Sequence, residues 1–165
     1  MDYSEIGKFI SVIIIGFLSA YFGSLFALNK FKKEKFWNER RNTYKNIVEA
    51  FEELLHWAEQ VRAEHCCEPS SAIEAKYEIA LREISRYSET GGIIFSQEFY
   101  DITKEANKLI VQSIYKIHEQ SLGESDTEQE RSEWCFIQAN EIGDIVNKYL
   151  PKLIEIARDE LPKKI

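Results

Sequence analysis

Residues 9–28 read FISVIIIGFLSAYFGSLFAL, twenty consecutive positions without a charge. At ~1.5 Å rise per residue this run reaches ~30 Å, the thickness of a bilayer's hydrocarbon core. A cleaved signal peptide fits it poorly. Asp2 and Glu5 precede the run against a single Lys8, where a secretory leader is basic, and basic residues follow it where small residues would be cut. The reading is therefore a membrane anchor over residues 9–29, with residues 1–8 as a short N-terminal flank.

The charges beside the anchor predict its orientation. Lys30, Lys32, Lys33, Lys35, Arg40 and Arg41 crowd one end, and only Lys8 flanks the other. Lys and Arg are retained on the cytoplasmic side. The N-terminus is thus expected outside and the rest of the chain in the cytoplasm, as a single-pass protein of the inner membrane. The net charge of −7 conceals a split. Residues 30–41 carry six Lys/Arg against two Asp/Glu, whereas residues 42–165 carry fourteen against twenty-four. The basic segment suits anionic lipid head groups, at ~1 kcal/mol per Lys or Arg. Phe31, Phe36 and Trp37 interleave with it, and such rings also favour the interface. Lys30, Lys32, Lys33, Lys35, Trp37, Arg40 and Arg41 are the expected membrane-surface contacts. The acidic remainder argues against nucleic acid as a partner.

Helical periodicity organises residues 42–165. Tyr44, Ile47, Val48, Phe51, Leu54, Leu55 and Ala58 recur at spacings of three and four, the mark of one buried helix face. That helix is expected to end near Cys66–Pro69, with Ser70 or Ser71 capping the next. The second stripe is Ile73, Tyr77, Ala80, Leu81, Ile84 and Tyr87, stopped at Gly91–Gly92. Ser96 is the expected cap of a third helix to about Ser121, with Phe99, Ile102, Ala106, Leu109, Ile110 and Ile117 inward. Asp126 or Thr127 begins a fourth, carrying Cys135, Ala139, Ile142, Val146, Tyr149, Leu153 and Ile156, with Pro151 predicted to kink or interrupt it. No stretch alternates with period two. The predicted fold is all-α: a transmembrane helix followed by an antiparallel bundle of about four helices.

Chemistry is sparse. Glu53-Leu-Leu-His56 matches one carboxylate–histidine element of di-iron bundles, but such sites need two, and this one is read as opposite the apolar stripe and facing solvent. Cys66, Cys67 and Cys135 have no zinc spacing and are read as reduced, inert thiols. His65 and His118 read as surface residues. Nucleophile elbows, phosphate loops and metalloprotease motifs are missing from the sequence. The expectation is a protein that is not an enzyme and holds no cofactor or metal.

The feature that points to function lies in the anchor. Gly16, Ala20, Gly23 and Ala27 fall within about a 60° arc at 100° per residue. Small residues on one face let membrane helices approach closely, which is how they associate where lipid removes the hydrophobic drive. The expected partners are membrane lipid, a second copy or another membrane protein, and a cytoplasmic protein of unknown identity. The expected role is an interaction module that recruits or senses such a partner. The alternative is a membrane-perturbing effector acting through transmembrane self-association.

The stretch from Lys35 to Tyr44, KFWNERRNTY, directly after an N-terminal anchor, resembles one found in many small bacterial membrane proteins of unassigned function. They share an anchor, a Trp/Glu/Arg/Arg juxtamembrane helix and a helical cytoplasmic tail, and the likeness covers roughly residues 9–57. It implies an architecture and no activity. Proteins of this kind also occur as effectors of anti-phage defence.

Overall fold

The stripe that begins at Tyr44 is the inner face of a bundle. In the computed structural model, which describes residues 3–66, 74–121 and 127–161, Tyr44, Ile47, Phe51, Leu54 and Ala58 are fully buried and Val48 and Leu55 partly so. They belong to α1 (Tyr3–His65), which is followed by α2 (Glu74–Thr90), a 3-10 turn (Gly91–Ile93), α3 (Gln97–Ser121) and α4 (Glu128–Glu160). All regular structure among the described residues is helical, as the periodicities predict. The chain divides into two units, Met1–Arg40 and Arg41–Ile165.

Cross-helix pairs within the second unit fix its topology. Along α1, Tyr44 meets Glu160, Ala58 faces Gly143, Arg62 meets Asn140 and His65 stacks on Phe136, so numbering rises in α1 as it falls in α4. Trp57 stacks on Tyr77 near the start of α2, whereas Tyr44 meets Phe95 just beyond its end, which sets α2 antiparallel to α1. Ser85 and Ser88 meet Asn107, and Glu105 and Ser113 meet Tyr149 and Glu141, completing an up-down-up-down bundle. Truncating a side chain such as the fully buried Phe51 to alanine costs ~3–5 kcal/mol in a core of this kind.

Helix ends follow their caps. The Ser96 hydroxyl accepts the Phe99 N–H at 3.3 Å and starts α3. Thr127 and Glu130 form a reciprocal capping box at the start of α4, each side chain satisfying the other's backbone N–H. α1 closes where expected, with the Cys66 N–H still donating to the Arg62 carbonyl at 3.1 Å. The expected caps Ser70, Ser71 and Asp126 lie outside the described residues. At the turn after α2, a Cβ on Gly91 would sit 2.5 Å from the Phe95 ring, so the close approach requires glycine.

Two local expectations are corrected. Pro151 does not interrupt α4, which runs on to Glu160. Both Pro151 and Asn147, whose carbonyl loses its helical donor, lie on the exposed face, so the freed acceptor is not sealed inside the core. Cys135 is exposed instead of inward, because the stripe reaches the end of the bundle there and the core begins at Ala139. Trp57 and Ala50, outside the predicted stripe, are buried where α2 covers that side of α1.

Several polar side chains inside the bundle are satisfied locally. Asn107 donates to the Ser88 hydroxyl at 2.9 Å and accepts from Ser85 at 3.2 Å, while Ser88 donates to the Ser85 carbonyl. Thr103, fully buried, donates to the Phe99 carbonyl at 2.8 Å. The Ser85 and Ser88 contacts with Asn107 cross from α2 to α3 and fix one register between them, since a slip would strand the Asn107 amide unpaired.

Candidate functional site

The first unit is built from residues that a soluble helix would bury. From Ile14 through Leu28 every side chain is exposed, including Phe17 and Phe26 at 74% each. α1 is long and apolar enough to cross a membrane, with none of its apolar window covered by protein. Exposing so much contiguous apolar surface to water is strongly unfavourable, at ~25 cal/mol per Å². On the predicted face, ideal Cβ positions at Gly16 and Gly23 meet nothing within 4 Å. Ala20 and Ala27, also exposed, share that face.

The basic segment that follows presents its charge outward. Lys30, Lys32, Lys33, Lys35 and Trp37 are exposed, and Arg40 and Arg41 are half-buried. Lys30 pairs with Glu34 and Lys35 with Glu39, both at 3.8 Å, which fits the helical four-residue spacing. The Arg40 guanidinium lies 5.8 Å from the Trp37 ring centroid, within cation–π range.

In the bundle, the Glu53/His56 element is corrected. Glu53 does not face open solvent: it is half-buried at the α1–α2 seam and accepts from Lys76 Nζ at 3.1 Å. His56 is exposed and pairs with Gln60 at 3.1 Å. Among the described residues no three His, Cys, Asp or Glu side chains converge as metal ligands. His65 is exposed, as expected, with its ring stacked on Phe136 at 4.1 Å between centroids.

Among the described residues, Tyr77 and Glu141 are shifted, both by structural contacts. Burial, followed by the nearby Cys135 and Glu78, pushes the Tyr77 phenol up to about 12. Hydrogen bonds from Lys116 and Ser113 hold the Glu141 carboxyl below its usual range. Tyr77 is stacked under Trp57 and accepts from Gln138 at 3.0 Å, so the shift marks a packed phenol.

Among the described residues, grooves open between neighbouring helices of the bundle. One, of about 360 Å³ between α1 and α2, is floored by Ala50 and Ala80 and edged by charged side chains. Another, of about 500 Å³ between α3 and α4, has Ile102 and Ile156 beneath Glu98, Glu155, Asp159 and Glu160. Neither was predicted, because grooves arise from which helices become neighbours, which no single helix's periodicity encodes. No protein-family model, curated protein or solved structure matches the chain.

Proposed function

We propose that this chain is a membrane-anchored helical interaction module. Residues 9–28 cross the inner membrane with the N-terminus outside. The segment from Lys30 to Arg41 engages anionic head groups, and the bundle is offered to the cytoplasm. There it recruits or senses a partner, while the Gly16/Ala20/Gly23/Ala27 face binds a second copy or another membrane protein.

The observation that carries this reading is the open small-residue stripe on a helix whose other faces bear Ile, Leu and Phe. Close backbone approach supplies van der Waals contact that lipid cannot match. The polar contacts between α2 and α3 and between α3 and α4 support a binding role, since they serve packing instead of converging on a reacting atom. Affinity purification of the full chain from detergent tests the reading. A specific companion protein is expected, depleted by Gly16→Leu/Gly23→Leu or by variants on the bundle surface. Recovery of the chain alone, with no companion and no self-association, contradicts it.

A further inference from the structure

Turns between bundle helices are ordinarily polar, and the one between α2 and α3 is not. It reads Thr90-Gly91-Gly92-Ile93-Ile94, and Ile93 is 89% exposed, the highest value among the large apolar side chains described. Single apolar residues on a surface are common, but this one is held out by the fold. The Ile94 and Phe95 N–H groups both donate to the Gly91 carbonyl, at 2.9 and 2.8 Å, and close the turn. The Phe95 and Tyr100 rings lie against Gly91, and Phe95 is buried beside Tyr44 and Phe99. Ile94 packs onto the core, which leaves Ile93 in the open. The place of this tip in the bundle matters as much. The Tyr44 hydroxyl accepts the Ser96 N–H and meets Glu160, so the turn, the end of α4 and the entry of α1 share one end of the bundle. Arg41, where the bundle unit begins, is three residues before Tyr44, ~4.5 Å along the helix. The opposite end is marked by His65 stacked on Phe136.

We infer that the Ile93 tip is a second membrane contact, in which the isoleucine seats between lipid head groups and the upper acyl chains. The inference rests on the reading that Lys30 to Arg41 engages head groups, which brings Arg41, and with it this end of the bundle, to the lipid surface. An apolar side chain there needs to enter only ~5–10 Å to leave water. The contact is apolar and not electrostatic. Glu89 and Glu98 stand on either side of the turn in sequence, both exposed, and an anionic surface repels them. Zwitterionic lipid therefore suffices, and added salt does not release the tip. A bundle held at this end keeps its flanks, with the grooves between its helices, open to the cytoplasm.

The test uses the full chain, with Cys66, Cys67 and Cys135 replaced by serine, reconstituted in phosphatidylcholine vesicles. One introduced cysteine carries an environment-sensitive nitrobenzoxadiazole dye. Gly92→Cys leaves Ile93 in place, and its Cβ would meet nothing closer than the Tyr100 ring at 3.7 Å. Its dye should emit to the blue and be quenched by phosphatidylcholine bearing a nitroxide near the top of the acyl chain. Ile79→Cys, at a 62% exposed isoleucine on the α1–α2 groove, should be quenched at least threefold less, which excludes partition driven by the dye. Adding Ile93→Asp to Gly92→Cys should return that dye to water, with an unchanged melting temperature showing that the bundle persists. Lys33→Cys reports the juxtamembrane reading separately. Quenching at 33 without quenching at 92 overturns the inference and leaves that reading standing, whereas quenching at neither overturns both. A blue shift at 92 without lipid quenching shows that protein covers the tip and overturns the inference. So does equal quenching at 79 and 92, or quenching at 92 that survives Ile93→Asp.

Discussion

The Tyr44 hydroxyl donates to Glu160 Oε2 at 2.5 Å and accepts the Ser96 backbone N–H at 3.0 Å, so one buried phenol ties together α1, the α2–α3 connection and the end of α4. Its ring is fully buried between Phe95 and Phe99, with centroids 5.0 and 4.5 Å away. Tyr44→Phe keeps this packing and deletes only the hydroxyl, leaving the Ser96 N–H without its acceptor. The expected loss is ~1–3 kcal/mol of unfolding free energy, read by denaturant melts of the full chain in detergent. An unchanged midpoint would show that water replaces the hydroxyl at no cost.

Gly143 sets how closely α1 and α4 approach. A Cβ there would lie 3.3 Å from Ala58 Cβ and 2.8 Å from an Arg62 guanidinium nitrogen. Arg62 is itself held by Asn140 at 2.6 Å. Gly143→Leu must push the helices apart and break that bond, at a cost of ~2 kcal/mol or more, well above the ~1 kcal/mol gained in helix propensity. Thermal melting of the variant checks this, and a stabilised Gly143→Leu protein would contradict the packing described.

Alkaline titration isolates Tyr77. Its phenol is raised to about 12 against an ordinary value near 10, so the folded state disfavours the phenolate. A group whose folded value is raised contributes stability that is complete below its unfolded value and lost as pH climbs through its folded value. Stability should therefore fall from about pH 10 to about pH 12, and Tyr77→Phe should flatten that fall. Difference absorbance of phenolate between the two proteins checks the titration itself. A phenolate signal lost with Tyr77→Phe that appears already near pH 10, and not near pH 12, would contradict the buried phenol.

The exposed thiols Cys66 and Cys135 report orientation without engineering. With the bundle in the cytoplasm, a membrane-impermeant maleimide should leave both unmodified in intact spheroplasts and label both after the membrane is opened. Labelling before opening would reverse the proposed orientation.

Sequence periodicity carried the four helices, most of their inner faces and the caps of α3 and α4, because each depends on residues three or four apart. Ser96 and Thr127 were legible for that reason, as caps of the helices they precede. What escaped depends on neighbours distant in the chain. Trp57 is buried only because α2 settles beside it, and Cys135 is exposed only because the bundle ends. Glu53 looked like a surface carboxylate until Lys76, 23 positions away, closed the seam. The α1–α2 groove was invisible for the same reason, whereas the anchor stripe was readable within a single helix.

The most direct test of the central claim is a single-cysteine scan across the anchor, in the full chain with its native cysteines replaced and kept in membranes. Crosslinking to a second copy or another membrane protein should be strong at positions 20 and 27, on the small-residue face, and near background at Leu18 and Leu25 on the opposite face. Introducing Gly16→Leu/Gly23→Leu should erase the adducts at 20 and 27. Equal yields around the helix, or adducts that persist in that double variant, would contradict association through the Gly16/Ala20/Gly23/Ala27 face.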